Sequence, residues 1–167
     1  LLARGLRKGR GMTIGILTQA LESAYFTAAL RGVEEGLAGS GFAPVIVSGH
    51  WNAREEAERV ALLISRRVDG IIILNDVLGE EQILDYARTL PIVVTGRELP
   101  PGNVFSMRVD NVQGGHLATR HLIDLGHKRI AHLTGPHEHV DATDRLKGYR
   151  RALKEAQLPC DPGLVVN

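Results

Sequence analysis

Short, nearly unbroken apolar runs punctuate the chain: "TIGIL" (13–17), "APVIVS" (43–48), "VDGIII" (68–73), "PIVVT" (91–95) and "RIAHL" (129–133). They are rich in β-branched residues and lack polar alternation, the pattern of strands covered on both faces in a parallel sheet. Longer mixed segments at 23–39, 53–67, 79–89, 111–125 and 142–157 predict helices, several closed by glycine as in "AGSG" and "DLGH". Strand followed by helix, five times over, predicts an α/β fold: a doubly wound parallel sheet with helices on both faces. Residues 97–110, "RELPPGNVFSMRVD", break the rhythm; two prolines and a glycine mark a turn, and "VFSMRV" predicts a sixth, short strand. After Gln157 the chain leaves the pattern with "LPCDPGLVVN", which ends on what reads as the start of a further strand.

Composition adds bounds. With 167 residues, 44% hydrophobic and 23% charged, the chain has the make-up of an ordinary globular domain able to bury a core. Cys160 is alone, so the chain holds no internal disulfide framework, which fits a reducing, cytoplasmic setting. No apolar run approaches the roughly 20 residues needed to span a bilayer. The start also lacks the apolar core and cleavage site of a secretory signal. A chain that is neither membrane-bound nor exported is expected.

Charge is unevenly placed. "LLARGLRKGR" carries Arg4, Arg7, Lys8 and Arg10 and no acid; without these four cations the net charge of +1 becomes −3. A basic lead on a mildly acidic body is the pattern of an arm that meets a polyanion, although charge alone favours a solvated terminus.

Ligands of doubly wound sheets bind at the carboxyl ends of the strands. The loops there are "TQALESAYF", "LNDV" with Asn75, "TGRE" and "TGPHEHVDATDR". None contains a G-x-G-x-x-G or P-loop signature, which argues against a nucleotide-dependent enzyme. Asp141 and Arg145 stand at i and i+4 at the opening of the last predicted helix, an acceptor and a five-donor fork on one face. They suit a polar or polyhydroxylated ligand; alternatively Asp141 caps the helix and pairs with Arg145 along it. A cation in a first turn opposes the helix dipole, which favours a ligand role for Arg145. Of the adjacent aromatics Tyr25 and Phe26, at most one is expected in the core, leaving the other to stack on a ring or sugar face; alternatively both simply pack. Trp51 reads as packing or an interface anchor rather than a ligand contact. "HEH" at 137–139 has no partner cluster at zinc-like spacing, and no nucleophile elbow is present. No metal, no cofactor and no catalytic centre are expected.

"LARGLRKGRGMTIGIL", "RRVDGIIIL", "PIVVTGR", "VDNVQGGHLATRHLIDLGHKRIAHLTGP" and "DRLKGYRRAL" together resemble the lactose-repressor (LacI/GalR) family of bacterial transcription regulators. The resemblance covers essentially the whole chain. It implies a hinge segment at 1–10 that links to a helix-turn-helix, a first effector-binding lobe at 11–160, and the start of a crossover to a second lobe at 161–167. It implies operator DNA, a small sugar-like effector and a second copy of the chain as partners. In the hinge, Leu6 matches the leucine that wedges into the minor groove, with Ala3 and Arg4 beside it. Arg145 matches an effector-binding arginine. "AYF" at 24–26 resembles the purine-repressor segment whose aromatics sandwich a ring, whereas His139 and Asp141 stand where that branch places other residues. Acidic Asp141 near Arg145 suits the adjacent hydroxyls of a sugar or polyol. A transport-type sugar-binding protein that shares the lobe is the competing class.

Overall fold

The computed structural model describes residues 11–136 and 139–167. Hinge candidates Ala3, Arg4 and Leu6, and His137 of "HEH", lie outside the described residues. The chain divides into two compact units, the first ending at Arg108 and the second running from Val109 to Asn167.

In the first unit β1 (Thr13–Thr18), β2 (Ala43–Ser48), β3 (Gly70–Ile73), β4 (Ile92–Thr95) and β5 (Val104–Met107) form one sheet in the order β2-β1-β3-β4-β5, every pairing parallel. The helices between them are α1 (Ala24–Leu37), α2 (Ala53–Ser65) and α3 (Glu80–Ala87). Successive strand residues point to opposite faces. Ile16 and Ile72 accordingly pack with Phe26, Ala29, Leu30 and Val33 of α1. Leu17, Ile71 and Ile73 join Val60 and Leu63 of α2 and Ile83 and Ala87 of α3. Both faces of β1, β3 and β4 need apolar residues, so no polar alternation survives in their sequence. The edge strands depart from the expected two-sided burial: Val45 and Ile46 of β2 and Phe105 and Met107 of β5 are exposed.

The second unit holds α4 (Asn111–Asp124), α5 (Val140–Glu155) and a two-stranded parallel sheet of β6 (His132–Leu133) and β7 (Val165–Val166). Its core is Ile130, Leu146, Tyr149 and Leu153, and the Tyr149 hydroxyl donates to the Ile130 carbonyl at 2.8 Å.

Two expectations are corrected. "RIAHL" does not form a fifth strand of the main sheet; only His132 and Leu133 pair, and they pair with Val165 and Val166. The fifth place is taken by "VFSM", register-matched to β4 from Ile92↔Val104 to Thr95↔Met107. The predicted sixth strand is thus the fifth strand of the main sheet.

α4 and α5 cross on glycines. A Cβ on Gly115 would lie 2.2 Å from the Arg145 carbonyl oxygen, and one on Gly148 would lie 2.0 Å from that of Val112. Only backbone against backbone fits there. At the far end of α5, His116 Nε2 and Glu155 stand 2.6 Å apart. The hydrogen bonds from His116 and Arg151 hold the Glu155 carboxyl down at about 2.

Candidate functional site

In the first unit the strand order reverses between β1 and β3, the switch point at which such sheets take ligands. Gln19, fully buried just past β1, holds that point together. Its Nε2 donates to the Asn75 carbonyl at 2.8 Å, and its Oε1 accepts from the Trp51 amide at 2.7 Å. One side chain thus ties the loops after β1, β2 and β3. The ties have work to do, because His50, Trp51 and Asn75 all take left-handed backbone (φ 52°, 56° and 55°), costly for a bulky residue such as Trp51.

The side chain of Asn75 is held as well. Its Oδ1 accepts from the Thr95 hydroxyl at 3.0 Å. A Cβ on Gly96, which sits at φ +86°, would come within 2.7 Å of Asn75 Nδ2. Tyr25 and Phe26 meet edge to face at 5.1 Å. They divide as expected: Phe26 is 5% exposed in the core, while Tyr25 is 54% exposed. Phe26 therefore backs the site rather than presenting a face, and Tyr25 is the ring open to solvent. Trp51 packs into the same apolar cluster as Phe26.

Beneath these loops lies a buried acidic pair. Glu56, on the first turn of α2, is fully buried and accepts from the Val77 amide through both oxygens, at 3.0 and 3.3 Å. Burial above all pushes its carboxyl up to about 7, with Asp76 adding to the rise. Asp76 is paired with Arg97, which also donates to the Leu78 carbonyl at 3.0 Å. Burial raises the Asp76 carboxyl too, against the pull of Arg97. These groups brace the loops that follow β3 and β4.

In the second unit α5 begins at Val140 with His139 as its N-cap residue. Asp141 is therefore not the cap, and Arg145 stands in the second turn, so the helix-dipole argument for Arg145 falls away. Geometry supplies a different one. Asn111, the first residue of α4, donates from Nδ2 to Asp141 Oδ1 at 2.9 Å and accepts at Oδ1 from Arg145 Nη1 at 2.8 Å. The glycine crossing sets Asn111 over that turn of α5. Arg145 is exposed, and Asn111 engages one of its five N–H donors. His132, stacked on Tyr149 at 5.0 Å, is held below the ordinary histidine range by burial first and then by Arg145 and Arg150.

Asn111 and Gln19 were not singled out from the sequence, although both lie inside stretches quoted above. Among the described residues no three His, Cys, Asp or Glu side chains group as metal ligands, and no helix is long and apolar enough to cross a membrane. A surface hollow bordered by Arg150, Lys154, Leu158 and Cys160 contains none of the predicted site residues.

Residues 11–164 match the family described as periplasmic binding proteins and sugar binding domain of LacI family. The chain belongs to this family. It is 32% identical to the HTH-type transcriptional repressor PurR of Edwardsiella ictaluri, a match covering 98% of this chain and 49% of that protein. It is also 32% identical to the ribose operon repressor of Escherichia coli, over 99% of this chain and 51% of the relative. The chain thus spans about half the length of these LacI-family relatives. Among solved structures, the transcriptional regulator CelR in complex with cellobiose superposes with a TM-score of 0.77 at 31% identity, covering 99% of this chain and 54% of that one. A sugar-binding LacI-family regulator from Escherichia coli, complexed with phosphate, gives 0.76 at 27% identity, covering 95% and 58%. The expected α/β class and the resemblance are both borne out.

Proposed function

We propose that the full-length protein is a ligand-responsive, cytoplasmic transcription regulator, and that this chain carries residues that bind its small-molecule effector. The observation that carries this reading is the hydrogen-bonded set Asp141–Asn111–Arg145, a carboxylate, an amide and a guanidinium displayed together on a LacI-family scaffold. Such a set matches the adjacent hydroxyls of a sugar or polyol, each of which both donates and accepts. Within the first unit, Tyr25 and Asn75 at the carboxyl edge of the sheet are candidate ligand contacts in this reading, and within the second so is His139 at the cap of α5. Ala3, Arg4 and Leu6 belong to a hinge that meets operator DNA, and the protein acts as a homodimer on paired half-sites. The regulatory reading is preferred over transport because relatives matched over nearly the whole chain are repressors.

The test selects DNA from a random pool with the full-length protein and then titrates D-ribose, cellobiose and adenine into the complex. Enrichment of a two-fold-related sequence whose affinity changes with one of these compounds is expected. Failure to enrich any DNA, with a sugar still bound, would replace this reading with that of a transport-type binding protein.

A further inference from the structure

We infer that Asn111 is a positioning residue for Asp141 and Arg145, and that its uncharged amide matches this set to neutral, hydroxyl-bearing ligands. The inference rests on the reading of Asp141 and Arg145 as ligand contacts and adds the residue that aims them.

Asn at a helix start ordinarily serves as the N-cap. Here Asp110 does that work, its side chain accepting from the Gln113 amide at 2.8 Å. The Asn111 side chain is thereby released for another purpose. Its amide is oriented by its partners: Nδ2 donates to Asp141 at 2.9 Å and more weakly to the Val109 carbonyl at 3.4 Å, while Oδ1 accepts from Arg145 at 2.8 Å. An amide donates from one atom and accepts at another without adding charge. Aspartate at 111 would set a second carboxylate against Asp141 and satisfy Arg145 by ion pairing. Alanine would leave a long, exposed arginine to sample many rotamers.

The backbone geometry gives the arrangement its rigidity. Gly115 lies one turn after Asn111, and its contact is the carbonyl of Arg145 itself. The helix that carries the amide is thus docked on the residue the amide orients. With Asn111 in place, the charges of Asp141 and Arg145 balance across the set. A neutral polyol can then bridge carboxylate and guanidinium, whereas a ligand carboxylate must compete with Asp141 for Arg145.

The experiment is calorimetric titration of the full-length protein with D-ribose, then cellobiose, then adenine, using the first probe that binds the unsubstituted protein. Asn111→Ala, Arg145→Ala, their double variant and Asn111→Asp are compared, with thermal melts alongside. Asn111→Ala is expected to weaken binding about ten-fold, and the double variant to bind no worse than Arg145→Ala alone, because the amide acts through the arginine. Asn111→Asp is expected to bind poorly near pH 7.5 and to recover toward pH 5.5, as two facing carboxyls come to share a proton and regain a donor. The recovery is read relative to the unsubstituted protein titrated over the same range.

Additive losses in the double variant, or unchanged binding by Asn111→Ala, would overturn the role of Asn111. Should Asn111→Ala fail to fold, the pH profile of Asn111→Asp decides, and a flat profile overturns the inference. Unchanged binding by Arg145→Ala would instead remove the underlying site reading, and binding of no probe by the unsubstituted protein would remove both.

Discussion

Arg145 and Glu56 are two charged side chains under opposite conditions. Arg145 is exposed, and its bond to Asn111 aims the guanidinium. On the proposed reading, Arg145→Ala in the full-length protein should abolish the effector response while leaving DNA affinity within about two-fold, since it would remove a charged hydrogen-bond partner from the ligand and nothing from the proposed DNA arm. Fluorescence anisotropy of labelled operator, with and without sugar, checks this. Glu56 is sealed beneath the loops, with its carboxyl at about 7 against an unfolded value near 4.5. The folded protein therefore keeps a proton there that the unfolded chain has lost, so this group favours folding at pH 5 and withdraws that stability as pH rises through 7. Urea denaturation across pH 5 to 8 should show the decline, roughly 1–3 kcal/mol, and Glu56→Gln should flatten it. Spacing within one helix exposed Asp141 and Arg145 to a reading of the sequence. Asn111 escaped it because the bond to Asp141 spans 30 residues, and the role of Gln19 depends on loops brought together only by the strand order.

At the level of elements, the apolar runs of β1, β3 and β4 were readable because burial on both faces leaves one solution to the pattern. "RIAHL" misled for the converse reason. Its side chains are apolar enough for a buried strand, but its neighbour, β7, is two residues long and lies 33 positions away. Strand length is set by the partner as much as by the run itself. The α4–α5 crossing depends on two glycines that a sequence alone reads as helix-weakening. Gly148→Ala should destabilise the protein by about 1–3 kcal/mol through forced separation of the helices, despite the better helix propensity of alanine. Gly114→Ala, at a neighbouring position with open space around it, should be neutral or stabilising. Thermal melts of the two variants form a matched comparison.

For the molecule as a whole, the division at Arg108 and Val109 means that each unit closes its own core. Helix–strand counting cannot detect such a boundary when the rhythm continues across it. The regulatory reading makes its own prediction at this scale: Leu6→Ala in the full-length protein should weaken operator binding by at least ten-fold while leaving binding to unrelated DNA nearly unchanged, because a groove-inserted wedge acts only where the duplex kinks. Equal losses on both DNAs, measured at one salt concentration, would assign the arm to charge alone.

The glycine crossing also bears on how such a protein changes over time. Because the two helices also meet through main-chain atoms at Gly115 and Gly148, their docking does not rest on the hydrogen bonds of 111, 141 and 145 alone. If those three places do meet the effector, as proposed, substitutions there can change what is bound while the contact at the two glycines beneath them stays the same.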